Sequence, residues 1–95
     1  MKPMSRIPAH PGEVLREEFL VPLGLSAEAF AAHIGVPTEA IEALVREEAP
    51  VDSELAWLLA MAVGTTPELW MNLQVHRDLA LHRPARALAP LVASR

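Results

Sequence analysis

Apolar residues recur at three- and four-residue spacing in five successive stretches, separated by glycine and proline, which predicts five short helices and no strand. The first opens at Pro11, with proline at an early helical position and Glu13 in the first turn. It continues through Val14, Leu15, Phe19 and Leu20, and Pro22 and Gly24 are expected to end it. Ser26 suits the N-cap of a second helix, Ala27 to His33, with Ala29, Phe30 and Ile34 inward and Gly35 breaking it. A third helix runs from Thr38 to about Glu47, carrying Ile41, Leu44 and Val45 on its apolar stripe and Glu39, Glu42 and Arg46 outward. Ala49-Pro50 stops it.

Asp52 or Ser53 can cap a fourth helix, Glu54 to Val63, which is apolar nearly all round and so is expected to be the one most enclosed by its neighbours. Gly64 closes it. Thr66-Pro67-Glu68 starts a fifth helix with a threonine cap, proline at the first position and a carboxylate against the dipole; it reaches about His82. This helix has two apolar stripes, Leu69, Trp70 and Leu73 on one and Met71, Val75 and Leu79 on the other. One should seal the domain, and the other is expected to form a homodimer interface, with the chain's own tail as the alternative cover. The organisation expected is a flexible basic arm over residues 1–9, a helical body over 10–82 and an Ala/Pro-rich tail over 83–95.

Ninety-five residues, half of them apolar, suffice for one core. Cysteine is absent, which removes disulfides, a thiolate nucleophile and cysteine-based zinc sites together. The longest uninterrupted apolar run, Leu55 to Val63, is nine residues, against the roughly 20 a bilayer span needs. The N-terminal stretch lacks the apolar core of a secretion signal, and a cytoplasmic, membrane-free protein is expected. Charge changes the picture more. From His10 to Trp70 there are eleven carboxylates against Arg16 and Arg46, a net of −9, while Lys2 and Arg6 at one end and Arg77, Arg83, Arg86 and Arg95 at the other are basic. Such a body repels nucleic acid and attracts basic partners.

The segment Leu25 to Pro37, followed by Ile41 and Val45, has the layout of a helix-turn-helix. Ser26 caps the short helix, small Ala31 lets two helices approach, Gly35 carries the tight turn, and Val36, Ile41 and Leu44 pin the second helix on the first. The flanks match a known pattern too: His10-Pro11-Gly12-Glu13, Leu15 to Leu20, Pro22-Leu23-Gly24-Leu25-Ser26, and later Leu69-Trp70-Met71-Asn72-Leu73-Gln74 with Asp78-Leu79. Over residues 10 to about 80 the chain resembles the HigA-type antitoxins of bacterial toxin–antitoxin modules. That resemblance implies an all-α, five-helix, lambda-repressor-like domain of the Cro/C1 type, usually dimeric. It implies binding and silencing of a small basic ribonuclease toxin, autorepression through a palindromic operator, and neither catalysis nor a cofactor.

The positions that the resemblance turns toward DNA are Ala27, Thr38, Glu39, Ala40, Glu42 and Arg46. The family commonly carries arginine, glutamine or asparagine at the start of the third helix and a Gly-Lys turn after it. This chain has two glutamates there and Arg46-Glu47-Glu48-Ala49 afterwards. Carboxylates can accept from cytosine amino groups but cannot contact phosphates, which dominate affinity. Phosphate contacts could come instead from Lys2 and Arg6, or from Arg77, Arg83 and Arg86. The alternative is a protein-interaction module that keeps the repressor fold and has lost DNA binding.

The remaining polar and aromatic residues read more plainly. Trp70 and Trp57 are expected in the core. Asn72 and Gln74 suit a partner contact or backbone capping equally, and Glu17, Glu18, Glu47 and Glu48 suit solvated faces. No metal site is expected: His76 and His82 are six apart, His33 ends a helix, His10 braces the start of the first helix, and no HExxH pattern exists. No phosphate loop or nucleophile–base pattern supports an enzyme.

Overall fold

The structure, a computed structural model, describes residues 7–92. Its described residues form five helices and no strand. The first, α1, is continuous over three segments: Pro11–Val14 is α-helical, Leu15–Leu20 takes the wider π geometry, and Val21–Leu23 is α-helical again. Pro22 therefore does not end the helix, contrary to the sequence expectation. Proline lacks an N–H and its ring crowds the carbonyl four residues back. The widened turn, in which the Val21 N–H reaches the Arg16 carbonyl, lets the helix pass through it. Gly24 alone ends α1, in the left-handed region at φ 66°.

Three of the four remaining helices begin on a side-chain cap. Ser26 Oγ accepts from Ala29 N–H at 3.0 Å to start α2, Ala27–Ile34. Asp52 Oδ1 accepts from Leu55 N–H at 2.9 Å to start α4, Ser53–Val63. Thr66 Oγ1 accepts from Leu69 N–H at 3.2 Å to start α5, Pro67–Leu81. Such caps contribute about 1 kcal/mol each. Only α3, Thr38–Val45, starts without one, on Pro37.

The helices close on one core: Leu15 and Leu20 from α1, Phe30 and Ala31 from α2, Ile41 and Leu44 from α3, Val51 from the following loop, Ala56, Leu59 and Ala60 from α4, and Trp70 from α5. Trp70 is fully buried, tilts against Phe19 with ring centroids 6.0 Å apart, and donates from Nε1 to Thr65 Oγ1 at 2.7 Å, so its single polar atom is satisfied.

The interior differs from the sequence expectation in two places. Ala29 is exposed, and Ala31 takes the inward place beside Phe30. Trp57 is 58% exposed and Met61 69% exposed. On α4 the inward face is the Ala56, Leu59, Ala60 stripe, and Trp57 and Met61, four apart, stand together on its exposed side. A helix that is apolar all round does not tell its inner face from its outer one by pattern, because any rotation about its axis buries apolar surface.

A close backbone contact between elements lies where α1 starts. Gly12 sits against the last turn of α3 so closely that a Cβ on it would fall 1.7 Å from the Leu44 carbonyl oxygen. Backbone cannot yield as a side-chain tip can, so Gly12→Ala must push α1 off α3. The expected cost is about 3 kcal/mol or more in urea unfolding; an unchanged midpoint would contradict the packing.

Candidate nucleic-acid interface

The helix-turn-helix is α2, the turn through Gly35, Val36 and Pro37, and α3. Gly35 takes φ 76°, its N–H and that of Val36 both bond to the Ala31 carbonyl, at 2.9 and 3.1 Å, and the half-buried Val36 packs on the core, so backbone and side chain both hold the turn. Ile41 and Leu44 anchor α3 inward, which turns Glu39, Ala40 and Glu42 out to solvent, with Thr38 and Ala27 half-buried at the helix starts and Arg46 exposed at the end. The six positions expected from the sequence are thus on or beside the outer surface of this unit.

The C-terminal end of α3 is a junction of charges. Glu47 and Glu48 donate their N–H groups to the Leu44 and Ala43 carbonyls at 2.9 Å each, closing a turn that places Glu47 at φ 63°, the left-handed region where glycine is usual. That flip is why α3 stops at Val45, two residues short of the sequence expectation. A side chain there costs roughly 1 kcal/mol. Glu47 is compensated by two arginines: it lies 3.6 Å from Arg16 of α1 and 3.7 Å from Arg77 of α5. Arg16 also donates to the Val45 carbonyl at the end of α3 and pairs with Glu17 at 3.0 Å. Arg77 further donates to the Pro8 carbonyl at 3.1 Å, fixing the chain just ahead of α1.

This arrangement decides which cations are left for a polyanion. The sequence offers Arg77 among the possible phosphate contacts; it is instead bound within the fold, with its side chain 23% exposed. Arg16 is bound in the same way, and Arg46 pairs with Glu48 at 3.1 Å on the surface. Among the described residues Arg83 and Arg86 remain, both exposed beyond α5. Lys2, Arg6 and Arg95 lie outside the described residues.

His10 completes the junction. It is buried, and its Nδ1 accepts from Gly12 N–H at 2.9 Å, capping α1 where it meets α3. Burial, and then the Arg77 guanidinium, hold its pKa below the usual histidine range, against the opposing pull of Glu47, Asp78 and Glu13. Of the two roles open to Gln74, the structure shows backbone capping: it is buried, its Oε1 accepts from Val51 N–H at 2.8 Å and its Nε2 donates to Asp78 at 3.0 Å. Asn72 is exposed on α5 beside Val75 and Leu79. Of the stripe expected to dimerise, Val75 and Leu79 stand open and Met71 is half-buried against the core. The Arg16–Glu47–Arg77 bridge has no signature in the sequence, since its members are widely separated along the chain and show no periodic signal.

A short helix carried outward on a glycine-turned partner within a five-helix body defines a helix-turn-helix protein of the repressor class. No protein-family model matches the chain. Individual proteins do. Antitoxin HigA-1 of Vibrio cholerae is 37% identical over 79 residues, 83% of this chain and 74% of that protein. The solved antitoxin GraA is 43% identical with a TM-score of 0.78, over 81% of this chain and 83% of GraA, and has also been solved in complex with its operator. PA4674 of Pseudomonas aeruginosa, in complex with its operator DNA, is 32% identical with a TM-score of 0.84, over 92% of this chain and all of that one. The chain belongs to the HigA family of helix-turn-helix antitoxins.

The His10 cap yields a pH prediction. Because the folded pKa is depressed, the unfolded chain binds the proton more readily. Stability should therefore fall as pH drops through the unfolded value of about 6.5 and level off once the folded pKa is passed. In urea titrations from about pH 7.5 to about pH 5.5, spanning that value, His10→Asn, which keeps an acceptor and does not titrate, should lose less stability than the wild type; parallel losses would contradict the assignment.

Proposed function

We propose that this chain is the antitoxin of a toxin–antitoxin pair, a cytoplasmic homodimer that binds operator DNA to repress its own operon and neutralises a small basic ribonuclease toxin by direct contact. The observation that carries the DNA half is the outward α3 on a fold whose relatives GraA and PA4674 are solved on their operators over most of this chain's length. Dimerisation rests on Val75 and Leu79, exposed on α5, with Met71 beside them; two copies would present two α3 helices to a palindrome. The toxin half rests on charge: the stretch from His10 to Trp70, with eleven carboxylates against two arginines, speeds encounter with a basic partner.

Phosphate contacts in this reading come from outside the helix-turn-helix, from Arg83 and Arg86 in the tail and Lys2 and Arg6 in the arm. A second reading, favoured by the exposed carboxylates of α3, keeps the fold as a protein-interaction module with no operator. One experiment separates them: fluorescence anisotropy on a duplex from upstream of the chain's own gene and on a scrambled duplex, at low and physiological salt. Tighter binding to the upstream duplex is expected, and equal absence of binding to both would leave the interaction module. On the scrambled duplex, Glu39→Gln/Glu42→Gln should bind more tightly than the wild type, since two charges repelling the phosphates are gone; weaker binding there would contradict that repulsion.

A further inference from the structure

Trp57 and Met61 stand out of the core on one side of α4, 58% and 69% exposed. Four residues apart, they lie side by side on the helix surface and form an apolar ridge. The ridge borders two grooves. One, between α2 and α4, is lined by His33, Ile34, Leu58, Met61 and Ala62. The other, between α4 and α5, is lined in part by Trp57, Pro67, Glu68, Met71 and Asn72. Apolar side chains scattered singly over a surface are ordinary. An adjacent tryptophan and methionine with a groove on each are the makings of an anchor: tryptophan is enriched where binding energy concentrates, and methionine adapts its shape to a partner.

Charge decides what can cover this face. Glu54 lies one turn before Trp57 and Glu68 lines the groove beside it, both exposed. Helices α2 and α4, and α5 as far as His76, carry no lysine or arginine. Nucleic acid and anionic lipid are therefore repelled. A second copy brought up by a two-fold axis presents the same patch, setting carboxylates against carboxylates with no cation on these elements to pair them. A basic protein surface meets the face with the opposite sign.

Resting on the toxin-neutralising reading above, we infer that the Trp57–Met61 ridge is the surface that receives the toxin. Apolar side chains of that basic protein seat in the two grooves, and its lysines or arginines lie against Glu54 and Glu68. The ridge holds the complex together and the carboxylates speed its formation. None of these four residues is among the positions turned toward DNA.

The test is surface plasmon resonance of the full chain on the small basic protein encoded beside its own gene. The wild type should bind, and Trp57→Ala and Met61→Lys should each weaken binding about tenfold or more, chiefly through faster dissociation. Their urea midpoints should stay close to the wild type, because both side chains are largely exposed. Glu54→Gln/Glu68→Gln should instead slow association and flatten its salt dependence. Fluorescence reads the same contact without a loss of binding. The emission lost in Trp57→Phe belongs to Trp57, apart from buried Trp70, and should move to shorter wavelength in the complex. Wild-type affinity in both Trp57→Ala and Met61→Lys, or an unmoved Trp57 emission, would overturn the inference and leave the toxin reading standing on another face. A wild-type dimer that Trp57→Ala dissociates would give the ridge to a second copy and overturn it as well. No binding of that basic protein by the wild type would overturn the toxin reading, and this inference with it.

Discussion

The end of α3 is the point on which the other contacts converge. Its last carbonyls receive Arg16, its last turn receives the backbone of Gly12, and its flipped residue, Glu47, draws arginines from the first and last helices at once. Ion pairs at 3.6 and 3.7 Å with partly exposed side chains are each worth a fraction of a kcal/mol. Together they offset much of the cost of holding a glutamate in the left-handed region. The consequence is architectural: Ile41 and Leu44 set which face of the outward helix is exposed, and the junction fixes its C-terminal end to α1 and α5.

The same junction determines what the surface can do. Arg16 and Arg77 are taken up in fixing α3, and Arg46 is matched by Glu48. What faces outward from α3 is carboxylate and methyl, on a body that is strongly acidic. Among the described residues, the arginines without a carboxylate partner, Arg83 and Arg86, therefore lie beyond α5 and not on α3.

Much of the fold is legible in the sequence because short helices carry their own punctuation. Ser26, Thr66 with Pro67, and the glycines at 24, 35 and 64 mark ends that the structure keeps. The departures have physical causes. Pro22 reads as a stop only if the helix is strictly α, and the π turn removes that condition. Trp57 reads as core because an all-apolar helix has no polar face to betray its orientation. At the candidate site the outward placement of Glu39, Ala40, Glu42 and Arg46 follows from periodicity and the family resemblance. The arginine bridge does not, because side chains from α1, the α3–α4 loop and α5 meet only once the chain is folded.

That affinity comes from outside α3 is tested most directly by the salt dependence of duplex binding. Log K is plotted against log salt for the wild type, for Arg83→Ala/Arg86→Ala and for Arg46→Ala. The tail variant is expected to flatten the slope by about 0.9 for each phosphate that the tail no longer neutralises, while Arg46→Ala leaves it unchanged. A flattened slope for Arg46→Ala with an unaltered slope for the tail variant would place the phosphate contacts back on the helix-turn-helix and contradict this division of roles.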